Sequence, residues 1–435
     1  MDAATIVVIC LIAILVIMGT GIPLAYVLGC CAVLALFFAW GGGGLSKAGL
    51  VAFYTFFKLD WTPLPLFVLL GCVLSETRLS TDIFQVANSW LSRLPGGLVV
   101  ASIMSEAAMA ATIGSSIVTL LVVGKVSVPE MERLGYNKAF STAAILAGGV
   151  LGPLIPPSVT LVIYALFAQE SIGRLFMAGV IPGIVLAIML SMFTILTCLR
   201  NPRLTPRSVG VSSRERLASV WSVWKVWPIV VVILSILGGI YLGVMTATEA
   251  AGVAVVIALL LCVVFYRFRL TNLFRAMVDA AIINGMICFI IMGAMMLTFM
   301  VGTSGLGRDL ANFLTSVKLS PWLIVIAINA IYLILGFFMD SISVMMVTLP
   351  FLVPLIKSLG FDPIWFGVVT VVNIEIGLIT PPMALNMFTA KEVFGLPIGE
   401  LIRHLVPFLA VLLIFLGIII AFPQLSLWLP GMMRG

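Results

Sequence analysis

An all-α polytopic membrane protein made of two inverted repeats, with re-entrant hairpins and discontinuous helices, is the fold class that three features of the sequence predict. Of the 435 residues, 62% are hydrophobic and 9% charged, a balance outside the range of soluble domains. Apolar stretches of about 20 residues, each able to cross a hydrocarbon layer of about 30 Å, follow one another almost without pause. The third feature is a match of the chain to itself at an offset of 225 residues. Gly114 to Pro182 aligns without gaps to the later copy, pairing Pro129 with Pro354, Pro156 with Pro381, Pro157 with Pro382 and Pro182 with Pro407. Ordinary proline frequency would give about 0.2 such pairs in that window. Ser116 with Ser341, Leu134 with Leu359, Gly135 with Gly360 and Gly152 with Gly377 lie on the same diagonal. A water-soluble enzyme is excluded, and the chain reads as a duplicated unit.

The first span, 5–20, follows Asp2 where a secretory signal carries Lys or Arg, and no small-residue cleavage site closes it, so it is expected to be retained. Gly, Pro and charged residues bound further spans at 24–40, 61–77, 139–167, 175–199, 227–245, 249–266, 279–300, 366–390 and 404–423. The expected organisation is a pair of scaffold helices (1–60), a first repeat (61–199), a basic loop with further scaffold helices (200–278), a second repeat (279–423) and a tail (424–435). All seven cysteines, at positions 10, 30, 31, 72, 198, 262 and 288, sit in apolar segments without paired spacing, so neither a disulfide framework nor a zinc site is indicated.

Segments 98–123 and 321–352 are also apolar, but the first carries Ser102, Ser105, Glu106, Thr112, Ser115, Ser116 and Thr119 around Gly114. A lipid-facing helix does not usually hold so much polarity, whereas a hairpin that turns back inside the protein accommodates it. Arg200, Arg203, Arg207, Arg214, Arg216 and Lys225 place the 200–225 connection in the cytoplasm. With both segments re-entrant, 16 of the 23 basic residues lie inside and both termini outside. With both crossing, the inside count is again 16, so charge alone leaves the choice open. Turning back makes the copies inverted, with opposed tips Gly114-Ser115-Ser116 and Met339-Asp340-Ser341 near the midplane, an architecture of many secondary transporters. The net charge of +6 follows from the orientation signal beside anionic lipid and calls for no nucleic acid. Trp221, Trp224 and Trp227 read as an interface anchor.

Chemistry is expected where the spans are broken. Gly152-Pro153-Leu154-Ile155-Pro156-Pro157-Ser158 and Gly377-Leu378-Ile379-Thr380-Pro381-Pro382-Met383 cannot be regular helix, because each proline removes a donor and clashes with the preceding turn. The carbonyls so freed need a partner in lipid, and a sodium ion supplies one without a buried formal charge. The simpler alternative is a kink mended by Ser, Thr or water. Duplication in register, each copy beside a polar tip, favours the ion. A hairpin tip also presents a helix N-terminus, suited to an anionic group, and no Lys or Arg lies in mid-span. Of the acidic residues in or beside apolar segments, Asp340 is the strongest candidate. Glu249 reads as a helix cap after Thr246, and Glu106 and Glu375 are open. His404 is the only histidine, no H-E-x-x-H occurs, and a membrane enzyme is therefore disfavoured. Opposed tips disfavour a passive channel.

Several motifs in order resemble the large membrane subunit of TRAP (tripartite ATP-independent periplasmic) transporters. They are Ser115-Ser116 before Gly124, Gly152-Pro-Leu-Ile-Pro-Pro-Ser158, Ser171-Ile-Gly-Arg-Leu-Phe176, Gly179-Val-Ile-Pro182, Ala247-Thr-Glu-Ala-Ala251, Met339-Asp340, Gly360-Phe-Asp-Pro-Ile-Trp-Phe-Gly367 and Asn373-Ile-Glu-Ile-Gly-Leu-Ile-Thr-Pro-Pro382. The resemblance spans essentially the whole chain. It implies an elevator-type fold like that of the ion transporter superfamily, in a multi-pass protein of the bacterial inner membrane. The implied activity is sodium-driven import of an organic anion, with Na⁺ as coupling ion and no other cofactor. Implied partners are a small four-helix membrane subunit, not expected within this chain, and a periplasmic substrate-binding protein. Carried over by position, sodium is expected at Gly114, Ser115, Ser116, Gly152, Ile155 and Pro156, and again at Met339, Asp340, Ser341, Gly377, Thr380 and Met383. Substrate contacts are expected at Ser116, Ser158, Ser341, Asn373 and Asn386. Ile117-Val118-Thr119 and Met383-Ala384 depart from the family's usual residues. The alternative is an ion-coupled carrier of the same architecture that works without a binding protein.

Overall fold

The computed structural model describes residues 3–18, 22–206, 224, 226–266, 268–305, 320–382 and 384–433. Asp2, Arg207, Arg214, Arg216, Trp221, Lys225 and Met383, all named above, lie outside the described residues. The described chain is helical throughout. In order the helices are α1 (Ala3–Met18), α2 (Leu24–Trp40), α3 (Gly42–Phe56), α4 (Pro63–Ser75), α5 (Leu79–Leu91), α6 (Gly97–Ile113) and α7 (Ser116–Arg133). There follow α8 (Lys138–Gly148), α9 (Leu151–Leu154), α10 (Val159–Ala168), α11 (Ile172–Arg200), α12 (Trp227–Tyr241), α13 (Ala247–Phe265) and α14 (Leu270–Ser304). The last six are α15 (Pro321–Phe338), α16 (Ser341–Ser358), α17 (Pro363–Ile379), α18 (Leu385–Phe394), α19 (Ile398–Ala421) and α20 (Gln424–Gly431).

Among the described residues, six helices (α11, α13, α14, α15, α16 and α19) are long and apolar enough to cross a membrane. Two bent pairs raise the number to eight: α3 with the segment ending in α4, bent by 57°, and α8–α9 with α10, bent by 43°. Large apolar side chains such as Ile188, Met192, Leu260, Ile282 and Phe289 are exposed along these helices. In water such a surface would drive aggregation; in lipid it is the solvated face.

The duplication read from the prolines recurs in the helix boundaries. α7 spans 116–133 and α16 spans 341–358, while α8–α9 spans 138–154 and α17 spans 363–379, each pair 225 residues apart. The second arms end alike. Gly135 and Gly360 have φ of +82° and +79°. Tyr136 N–H donates to the Met131 carbonyl at 2.9 Å and Phe361 N–H to that of Ile356 at 3.2 Å, the six-to-one bond that closes a helix on a left-handed residue. The copies differ in one place. The first broken helix is interrupted between Gly148 and Leu151, whereas α17 runs unbroken to Ile379, because the first copy has Gly148-Gly149 where the second has Asn373-Ile374.

Three expectations of extent are corrected. The hairpin arms reach 97–133 and 321–358 rather than 98–123 and 321–352, since Pro129, Pro350 and Pro354 are accommodated inside helices and the glycine caps set the ends. Segment 41–60, left between the expected spans 24–40 and 61–77, contains α3, entered through Gly41 at φ +59°. Segment 78–97 contains α5, an amphipathic helix that buries Leu79, Ile83 and Phe84, and the tail contains α20. Around the hairpins, α1, α2, α3, α4, α12, α13 and α14 pack on one another, with α14 against both α2 and α4 and α13 against α4 and α12. Thr246 opens α13 with a reciprocal cap. Its Oγ1 accepts from Glu249 N–H at 3.3 Å, and its own N–H donates to Glu249 Oε2 at 2.8 Å, as expected of that glutamate.

Single cysteines at positions 93 and 132, both exposed, flank α6 and α7. In membrane vesicles an impermeant thiol reagent should label Arg93→Cys and Glu132→Cys from the same side. Labelling from opposite sides would mean that α6 and α7 together cross the bilayer.

Candidate functional site

Each proline doublet deprives two carbonyls of their helical donors. Pro156 and Pro157 have no N–H for Gly152 O and Pro153 O, and Pro381 and Pro382 have none for Gly377 O and Leu378 O. The chain accordingly leaves the helix at Ile155 (φ −80°, ψ 123°) and at Thr380 (φ −91°, ψ 128°). Both proline–proline bonds are cis. In the second copy Thr380 N–H donates back to Gly377 O at 3.0 Å and Thr380 Oγ1 to Ile376 O at 2.6 Å. Past the break, Ala384 has φ +35° and starts α18.

The first tip is lodged in the first break. Gly114 turns at φ +65°, and a methyl group built on it would lie 3.0 Å from Val159 N and 3.3 Å from Pro157 O. A methyl on Gly152 would lie 3.0 Å from Ser115 O. Two glycines thus bring backbone to backbone, with the Ser115 carbonyl beside the freed turn. Ser115 O also accepts from Thr119 Oγ1 at 2.7 Å. Ser158, fully buried, uses its hydroxyl to cap α10, accepting from Leu161 N–H at 3.3 Å.

The second tip meets the second break one turn earlier, at Glu375. Ser341 Oγ donates to Glu375 Oε1 at 2.5 Å. Asp340 caps α16: its carboxylate accepts from Ser343 N–H at 3.2 Å and from Ser343 Oγ. α15 and α17 approach through another glycine pair, since a methyl on Gly377 would fall 2.7 Å from Gly336 Cα. The two halves are joined as well. Asn386, just beyond the second break, donates Nδ2–H to Ser116 Oγ of the first tip at 3.1 Å, and Ser116 and Asp340 both lie near Glu375. Farther out, Tyr164 OH donates to Pro363 O at 2.7 Å and Lys357 pairs with Glu170 at 3.0 Å.

The structure therefore brings Gly114, Ser115, Ser116, Gly152, Ile155, Pro156, Pro157 and Ser158 together. It brings Asp340 and Ser341 to Glu375, with Met339 next to them in the chain, sets Gly377 against Gly336 and leaves Thr380 bonded to its own helix end, and links the two halves through Asn386. Asn373 is turned elsewhere, its Nδ2 donating to Asn329 O at 2.7 Å and Asn329 Oδ1 at 2.8 Å, so it clamps α15 to α17. Glu375, like Glu106, is a residue whose place sequence reasoning left open. The signal was its position two residues before Gly377, on the face of α17 that meets the second tip. A cavity of about 710 Å³ lined by Lys58, Trp61, Glu170, Thr246 and Thr298 lies apart from the tips.

The backbone carbonyls, hydroxyls and carboxylates gathered here suit a hard monovalent cation. No group of three or more His, Cys, Asp or Glu able to hold a metal ion occurs among the described residues.

The family model "Tripartite ATP-independent periplasmic transporter, DctM component" matches residues 11–425. The C4-dicarboxylate TRAP transporter large permease protein DctM of Pseudomonas aeruginosa is 37% identical over 369 residues, 85% of each chain. The sialic acid TRAP transporter large permease protein SiaM of Vibrio cholerae is 31% identical over 373 residues, 85% of this chain and 86% of that one. Among solved structures, the YdaH transporter of Alcanivorax borkumensis superposes with a TM-score of 0.61 over 88% of this chain and 89% of that one, at 16% identity, a likeness of fold alone.

Gly377→Ala should force α15 and α17 apart and cost about 1–3 kcal/mol, read as a lowered melting temperature of the purified protein. Gly399→Ala, at a position with open space around it, should leave the melting temperature within error.

Proposed function

The chain belongs to the DctM component family of tripartite ATP-independent periplasmic transporters, a transporter family and not an enzyme family, and on that footing we propose that it is the large subunit of a sodium-driven importer of an organic anion. The observation that carries the proposal is the packing, in both copies, of a polar hairpin tip against the helix that a proline doublet breaks. Sodium takes oxygen ligands and needs no buried formal countercharge where several carbonyls converge. One ion sits between the 114–116 tip and the 152–156 break, and a second between the 339–341 tip and the turn of Gly377 and Thr380. Met383 completes the second set as a proposed ligand.

The anion belongs at the first tip. Ser115 makes no side-chain cap on α7, and an N-terminus without one favours a carboxylate. At the second tip the carboxylate of Asp340 already fills that role, which favours a cation there. Ser116, Ser158, Ser341, Asn373 and Asn386 remain the proposed substrate contacts, with Ser116 and Asn386 supported by their mutual hydrogen bond. The names of the relatives, a C4-dicarboxylate and a sialic acid transporter, are both those of carboxylates and support a small organic acid as cargo.

Sodium binding orders both tips and so favours the loaded state through its differential affinity. The hairpin-bearing part then moves as an elevator against the helices packed around α14. The copies are inverted, both termini are periplasmic, and the membrane is the bacterial inner membrane. The tripartite character of the family supports two partners, a small four-helix membrane subunit and a periplasmic binding protein that delivers the substrate.

Uptake into proteoliposomes containing both membrane subunits, driven by a sodium gradient in the presence of the binding protein, tests the reading. Ser116→Ala, Asp340→Asn and Thr380→Ala should each raise the sodium concentration for half-maximal uptake by roughly tenfold, the loss of about one charge-assisted contact, with folded protein retained. Unchanged sodium dependence in all three would reject the site.

A further inference from the structure

The first hairpin carries a titratable group that the tips do not use. Glu106 lies on α6, eight residues and about 12 Å before Gly114. It is fully buried, and neither Oε1 nor Oε2 has a hydrogen-bond partner among the described residues. Opposite it on α8 stands Gly148, where a methyl group would overlap Oε2. The glycine thus provides the space that the carboxyl group occupies, and the two helices close over it.

We infer that Glu106 is a proton-binding site inside the hairpin domain, holding the neutral acid while α6 and α8 are packed together and exchanging its proton with water when they part. The proton comes from bulk water, binds one carboxylate oxygen and is returned to water, with no other bond made or broken. This site is separate from the proposed sodium sites and does not depend on them.

No group on the surrounding elements supplies a countercharge. The helices packed against α6 are α4, α5, α7, α8, α9, α11 and α12. Cys72 of α4 is turned to Asp279 and Glu76, and Asp82 of α5 to Tyr266. Lys125 of α7, at the height of Glu106 on the other arm, is exposed. Glu130 pairs with Arg133, and Glu132 with Lys138 of α8. On α11, Arg174 and Arg200 are exposed at its two ends and Cys198 bonds Thr205. α9 has no titratable side chain, and α12 has only Tyr241 at its last residue. A carboxylate ion enclosed without cation or donor is strongly disfavoured in such surroundings, whereas the acid is not. The repeat sharpens the contrast. The equivalent of Gly148 in the second copy is Asn373, whose Nδ2 donates to Asn329 on the opposing arm while its Oδ1 has no hydrogen-bond partner among the described residues. The same helix contact is bridged by an amide donor in one copy and holds an open carboxyl against glycine in the other.

Infrared spectra of the purified protein in nanodiscs at neutral pH, with and without sodium, test this without transport. The wild type minus Glu106→Gln difference should contain a protonated carboxyl C=O band that shifts in D₂O and is unaffected by sodium. Paired carboxylate bands in its place, or a band that disappears on adding sodium, would overturn the inference, the latter by making Glu106 a cation ligand. Should Glu106→Gln fold poorly, Gly148→Ala, which presses a methyl onto Oε2, should move the frequency of the same band. A wild-type spectrum indifferent to Gly148→Ala would also overturn the inference.

Discussion

Two consecutive prolines in the middle of a membrane segment impose a constraint that lipid cannot relax. The carbonyls one turn earlier lose their donors, and hydrocarbon offers none in exchange. Protein has to come to them. In both halves of this chain the segment that comes belongs to a helical hairpin, and in both the approach is made possible by glycine. Gly114 and Gly152 let the first tip touch the first break, and Gly336 and Gly377 let the first arm of the second hairpin close on α17. The rest of the molecule is arranged so that these two meetings occur side by side.

The halves are not independent. Asn386 reaches from the second break to Ser116 of the first tip, and Glu375 receives Ser341 of the second tip while lying beside Ser116. Tyr164 and Lys357 tie the same halves together nearer the surface. A displacement of one tip is therefore felt at the other break. The hydrogen bonds that carry it are few, buried and polar, so the loss of any one leaves an unpaired group in a place where water does not compensate.

Duplication has also left room for difference. The second copy keeps an unbroken helix through Asn373, while the first breaks at Gly148-Gly149. The second tip is capped by an acid, and the first is not capped by a side chain. These departures from symmetry make the two tips chemically unlike and place Glu106 against a glycine. Symmetry supplied the scaffold, and its local failures supplied the chemistry.

The amino-acid order alone was enough for the class of fold, the duplication, the positions of both breaks and tips, and the cap at Thr246 and Glu249, because each depends on backbone chemistry that neighbouring residues dictate. Proline lacks a donor wherever it stands, and an offset of 225 residues is visible without a third dimension. Helices α3 and α5 were obscured by a glycine run and by polar residues, since those signals mark loops in water and helix surfaces at a membrane edge alike. What only the tertiary structure decided is partnership. That Asn373 answers Asn329, that Asn386 answers Ser116 and that Glu106 faces Gly148 are facts of packing between segments 42 to 270 residues apart, and no local rule relates them.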